Sequence, residues 1–171
     1  MQLRDTREIQ ASPVAVYGAL LDPEVLKACI SGAQEITGNP VDGYQATVTQ
    51  KVGPVKATFK GTVTMSDMVE AERLTIAGEG KGGAAGFAKG SAHVTLAPSD
   101  TGGTQLTYEV EAKVGGKLAQ LGSRLIDGFA KKMADQFFTN LQEHFEGPPS
   151  QDADAGEEGK TGWLGRLTGR D

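Results

Sequence analysis

The sequence predicts an α+β domain, a curved antiparallel sheet wrapped around one long C-terminal helix, with two short helices after the first strand. Three observations carry this. Leu118, Leu121, Leu125, Phe129, Met133, Phe137 and Leu141 recur at steps of three and four, one apolar stripe on a helix from Leu118 to Phe145. Several segments before it alternate apolar and polar residues, the period of strands that bury one face. At about 1.5 Å per residue the helix reaches on the order of 40 Å, enough to cross a whole sheet and cover its apolar side.

Leu3 to Gln10 reads as the first strand. Ser12-Pro13 starts a helix, with Ser12 as cap and proline at the first helical position; Val14, Tyr17, Leu20 and Leu21 form its apolar face. Asp22-Pro23 opens a second short helix in the same way, with Val25, Leu26 and Ile30 inward. Gly32, Gly38 and Asn39-Pro40 punctuate the chain before the main sheet. Tyr44, Ala46, Val48 and Val52 then alternate with polar residues, and Gly53-Pro54 turns the chain. The next strand alternates most cleanly. Val55, Ala57, Phe59, Gly61, Val63 and Met65 face one way, and Lys56, Thr58, Lys60, Thr62, Thr64 and Ser66 the other. Leu74 and Ile76 mark another strand, residues 78–86 a glycine-rich loop, and Phe87 to Leu96 a further strand. The last strand holds Leu106, Tyr108, Val110, Ala112 and Val114.

After Gly147-Pro148-Pro149 the composition shifts. Residues 150–160 are acidic and poor in apolar side chains, the signature of disorder. Trp163-Leu164-Gly165-Arg166-Leu167 follows, with Trp163, Leu164 and Leu167 on one side of a single helical turn and Arg166 on the other. The chain therefore divides into a ligand-binding body (1–146), an acidic linker (147–162) and a short amphipathic tail (163–171). The tail reads either as an unstructured end or as a contact for a membrane or partner, Trp and Leu sinking into the headgroup boundary.

With 171 residues and a net charge of −5, no basic cluster stands out along the chain, which disfavours nucleic acid as a partner. Cys29 is the single cysteine, so no internal disulfide forms, which fits a reducing compartment. The first residues lack an apolar secretory core and no stretch is apolar enough to span a bilayer. The expected location is cytoplasmic.

Gly78-Glu79-Gly80-Lys81-Gly82-Gly83 matches G-x-G-x-x-G, but a strand follows it and not a helix, so cofactor phosphate binding is rejected. The loop is either a hairpin connection or a mobile lid with Phe87 at its hinge. His93 and His144 are far apart without a carboxylate or thiol cluster, so neither a metal site nor a catalytic group is expected. Cys29 reads as a small buried residue. Tyr44 and Tyr108 sit on the apolar faces of their strands. Each is either a satisfied core tyrosine or a hydrogen-bond donor to a ligand carbonyl. Ala57, Gly61, Ala92 and Ala112 leave room on the sheet side, which favours a cavity over a filled core. The candidate cavity residues are Tyr44, Phe59, Val63, Phe87, Tyr108, Val110, Leu118, Leu121, Leu125, Phe129, Met133 and Phe137.

Four separated motifs carry a family resemblance. They are Asp22-Pro23-Glu24-Val25-Leu26-Lys27-Ala28-Cys29-Ile30; Gly53-Pro54-Val55-Lys56; Gly86-Phe87-Ala88-Lys89-Gly90; and the run from Gly115-Gly116-Lys117 through Gly122-Ser123-Arg124 to Ile126, closing with Phe137-Phe138. In this order the chain resembles the family of the carbon monoxide dehydrogenase G subunit, of the helix-grip, START-like superfamily. It departs at Ser31-Gly32-Ala33, where the family pattern leads one to expect Pro-Gly-Cys, and the rigidity of that loop is then in question.

The resemblance implies a non-catalytic accessory protein of a molybdenum-containing carbon monoxide dehydrogenase or related hydroxylase. It also implies a lipophilic quinone such as menaquinone as ligand, and recruitment of the enzyme to the inner face of the cytoplasmic membrane, with Trp163, Leu164, Arg166 and Leu167 as the contact. Two other readings stand beside it. One is a recruitment or assembly factor whose interior is packed core. The other is a cyclase- or dehydratase-like enzyme, which would need a general acid or base on an inward face.

Overall fold

The computed structural model describes residues 1–147. Met1–Leu141 form one compact unit. The chain runs β1 (Gln2–Ile9), α1 (Pro13–Leu21), α2 (Pro23–Cys29), β2 (Ala33–Asn39), β3 (Gly43–Val52), β4 (Val55–Val69), β5 (Arg73–Lys81), β6 (Phe87–Pro98), β7 (Thr104–Gly115) and α3 (Ser123–Glu146). The strands form one seven-stranded sheet in the order β1-β7-β6-β5-β4-β3-β2. Every pairing is antiparallel. The two short helices and α3 complete the helix-grip arrangement that the alternating strands and the long stripe predict. The acidic linker and the tail with Trp163, Leu164, Arg166 and Leu167 lie outside the described residues.

The caps act as read. The Ser12 hydroxyl accepts from the Ala15 N–H at 3.2 Å and the Asp22 carboxylate from the Glu24 N–H at 2.9 Å. Each satisfies an N–H that the first helical turn leaves without a partner. In α1 the buried face is Val16, Tyr17, Ala19 and Leu20, whereas Val14, expected inward, is exposed. Cys29 is buried at the end of α2, and burial pushes its thiol up to about 11.

Three boundaries differ from the sequence reading. Residues 33–39 form β2, which pairs only with β3. Ile36 is its one buried residue, so an edge strand that is wet nearly everywhere carries no alternation to detect. The glycines at 78 and 80 belong to β5, which continues to Lys81. Finally, α3 starts at Ser123 and not at Leu118. Residues 119–121 form a separate 3-10 turn, and Gly122 adopts φ +92°, a left-handed conformation that breaks the helical path.

The core gathers at the end where α1, α2 and the second half of α3 meet the sheet. Tyr108 stacks on Phe138 with centroids 4.4 Å apart. The Asn140 amide donates to the Cys29 carbonyl at 2.9 Å and ties α3 to the end of α2. Thr104, fully buried, donates to the Ala11 carbonyl at 2.7 Å. Near the N-terminal half of α3 packing gives way to open space.

Candidate functional site: an apolar cavity under α3

That space is a cavity of about 470 Å³ between α3 and the inner face of the sheet. Its wall crosses the sheet from Leu3 on β1, through Val110 and Val114 on β7, Ala88 and Ala92 on β6, Ile76 on β5 and Phe59 on β4, to Val48, Gln50 and Val52 on β3. Leu20 and Ile30 close one side, and α3 forms the roof with Ile126, Phe129, Ala130, Met133, Ala134 and Phe137. Apolar pockets of this size hold small-molecule ligands in many proteins.

On the sheet side Ala88, Ala92 and Ala112 are small side chains in the wall. Gly61, Gly78, Gly80 and Gly90 continue the inner face beside them, outside the wall. At Gly61 a Cβ would lie 1.8 Å from the Glu79 carbonyl oxygen, so the neighbouring backbone occupies the space that a side chain would take.

Among the described residues Gln50 is the only polar side chain in the wall. Its amide donates to the Ser31 carbonyl. That bond turns the amide toward the loop, so Gln50 faces the cavity chiefly through its methylenes. The inward phase of β3 reads Tyr44, Ala46, Val48, Gln50, Val52, and the polar residue in an apolar phase is the signal that would have marked it.

The same bond answers the question of loop rigidity at Ser31-Gly32-Ala33. Thr49 N–H donates to the Gly32 carbonyl at 2.9 Å, and the Gln34 amide to the Thr49 hydroxyl at 2.8 Å. Hydrogen bonds from β3 hold the loop where a proline was expected.

Of the residues expected to line the cavity, Phe59, Val110, Leu118, Phe129, Met133 and Phe137 are in its wall. The other six are elsewhere. Tyr44 is 1% exposed and donates to the Leu21 carbonyl at 2.6 Å, a satisfied core tyrosine. Tyr108 is consumed by its stack on Phe138; burial and, next, the Asp5 carboxylate raise its pKa. Val63 is half-buried on the inner face beside Gly78, outside the wall. Phe87 lies opposite Lys81 on the outer face, because the inward phase of β6 passes through Ala88. Its ring lies over Gly115. Leu121 sits in the 3-10 turn. Leu125 is 40% exposed and reaches Gly53 at the β3–β4 turn. A ladder of strict four-residue steps rotates by about 40° per step around a helix of 3.6 residues per turn, so Leu125 has left the face that Phe137 occupies.

The lid reading of the β5–β6 connection does not hold. Gly82 N–H donates to the Gly86 carbonyl at 2.7 Å, and Leu118 N–H to the Ala85 carbonyl at 3.0 Å, which pins a buried Ala85 under the exit of β7. This is a tied hairpin connection. His93 is exposed and shares a hydrogen bond with the Thr75 hydroxyl at 2.8 Å. Among the described residues no cluster of histidine, cysteine and carboxylate side chains is arranged to hold a metal. No helix among them is long and apolar enough to cross a membrane.

A family model for the G subunit of carbon monoxide dehydrogenase (CoxG) matches residues 6–146. The chain belongs to the CoxG family. No curated protein matches it significantly. Among solved structures, this CoxG-family chain is similar to a conserved protein from Geobacillus kaustophilus, with a TM-score of 0.79 and 28% identity, over 85% of this chain and 95% of that one. A START superfamily protein from Mycobacterium smegmatis shares the fold, with a TM-score of 0.63 and 14% identity, over 85% of this chain and 97% of that one. So does a protein from Chromobacterium violaceum, with a TM-score of 0.61 and 20% identity, over 86% and 98%. The START-like neighbours and the sheet-around-helix topology agree on the helix-grip fold for this CoxG-family chain.

Proposed function

We propose that this CoxG-family protein carries a lipophilic quinone of the menaquinone type in its cavity. In this reading it serves a molybdenum-containing carbon monoxide dehydrogenase or related hydroxylase at the membrane surface. The observation that carries the reading is the wall itself, which is lined almost wholly by apolar atoms. A prenyl tail gains about 0.8 kcal/mol per methylene on leaving water. A bilayer offers the same gain, so selection falls to the shape of the cavity.

The wall also disfavours the enzyme reading. Among the described residues it presents no carboxylate, imidazole or phenol in a position to move a proton. The chain's own task is to bind and orient, with electron transfer belonging to the partner and the cargo.

The test is organic extraction of protein purified from its native host, followed by mass spectrometry. A stoichiometric quinone is the expected finding. Protein without quinone that also takes none up from quinone-loaded vesicles would leave the recruitment or assembly role in its place.

A further inference from the structure

The lysines that look scattered in the sequence are gathered by the sheet. Lys51 pairs directly across the ladder with Lys56, Lys60 with Lys81, and Lys89 with Lys113. All six are exposed. They lie at the end of the sheet where β3 turns into β4, β5 into β6, and β7 leaves for α3. Lys117 and Arg124 on that exit add two more charges. The expectation that no basic cluster exists is thereby corrected: the cluster is made by antiparallel register, not by sequence proximity.

Like charges directly opposite one another destabilise a ladder. None of these eight groups forms an ion pair within the described residues. Three carboxylates, Glu79, Glu111 and Asp127, share this end. The turns at the opposite end carry Asp42, Asp67, Glu70, Glu72 and Asp100. A body with more acids than bases has thus segregated its charge at a cost in stability.

Two large apolar side chains stand among the cations. Phe87 is 42% exposed in the cross-strand row with Lys60 and Lys81, and Leu125 is 40% exposed against the β3–β4 turn. The cavity wall reaches the same end through Val52 and Val114, the neighbours of Gly53 and Gly115.

We propose that this end of the folded body is a docking surface for anionic lipid. The lysines meet the headgroup phosphates while Phe87 and Leu125 enter the acyl boundary, and the cavity's near end is brought against the bilayer. Cations around exposed apolar side chains fit a lipid interface, where charge and hydrocarbon are adjacent. Nucleic acid phosphates offer nothing for Leu125. The proposal rests on the carrier reading for its purpose, but the surface is tested without cargo.

The experiment is sedimentation of the full chain with quinone-free vesicles of phosphatidylcholine, with and without phosphatidylglycerol. Binding is expected only with phosphatidylglycerol and is expected to weaken in high salt. Each lysine near a charged surface is worth about fivefold in partitioning, so Lys60→Gln, Lys81→Gln and Lys117→Gln combined are expected to lose roughly a hundredfold. Arg73→Gln, at the β4–β5 turn of the opposite end, is expected to change little. Phe87→Ser, checked for folding by circular dichroism, is expected to weaken binding without removing its salt dependence. Equal binding by the triple variant and the wild type overturns the proposal. So does retention of the chain on duplex DNA with no binding to either vesicle. A preparation that holds no quinone and takes none up from quinone-loaded vesicles, yet still binds anionic vesicles, would count against the carrier reading and leave the surface standing.

Discussion

The Gln50 side-chain amide donates to the Ser31 carbonyl, so a residue whose methylenes line the cavity also clamps the loop after α2. Gln50→Leu removes that clamp. A hydrogen bond is worth about 0.5–1.5 kcal/mol net, and stability is expected to fall by about that amount. Chemical denaturation checks it, and an unchanged stability would mean that the Thr49–Gly32 bond alone holds the loop.

Phe129 and Leu141 share α3 yet face different surroundings. Phe129 borders the cavity, whereas Leu141 is fully buried. Phe129→Trp is expected to grow into open space and reduce quinone occupancy, with a stability loss below about 1.5 kcal/mol. Leu141→Ala leaves a void in close packing and is expected to cost about 2–5 kcal/mol. Chemical denaturation of both variants makes the comparison. A loss at Phe129→Trp as large as that at Leu141→Ala would show a solid interior there.

What the sequence makes legible follows from these surroundings. Strand phase along β4 and β7 is plain, because each buries one face and wets the other, and Phe59 and Val110 are placed from it. Phase cannot tell a residue against empty space from one against a neighbour, so Tyr44 and Tyr108 count as cavity candidates by phase although both are packed core. Gln50 is invisible to a search for apolar positions. The paired lysines are invisible for another reason: Lys60 and Lys81 become neighbours only through register, which length and composition do not contain.

Alkaline pH probes the burial of Cys29. Its thiol is pushed up to about 11 by desolvation, against an unfolded value of about 8.5. The folded state therefore holds its proton more tightly than the unfolded chain. This contribution is fully present below about pH 8.5 and fades as pH rises toward the folded value. Tyr17, Tyr44 and Tyr108 shift in the same direction through burial, but their titration begins near pH 10. Between about pH 8.5 and 10 the fall in melting temperature is thus expected to come mainly from Cys29, and Cys29→Ala is expected to flatten it. A slope in that window unchanged by the substitution would assign it to other groups.

Gly61 tests how closely β4 and β5 must approach. Its missing Cβ would meet the Glu79 carbonyl oxygen at 1.8 Å and the Gly80 Cα at 2.7 Å, both backbone atoms that cannot rotate away. Gly61→Ala must push β5 outward, at an expected cost of about 1–3 kcal/mol, the range for overpacked sites. Gly18 and Gly128 lie in helices where an added Cβ would meet no atom within 4 Å. Alanine there is expected to stabilise by about 0.5–1 kcal/mol through helix propensity and a less free unfolded chain. Thermal melts of the three variants separate the roles. A harmless Gly61→Ala would mean that β4 and β5 can part without loss.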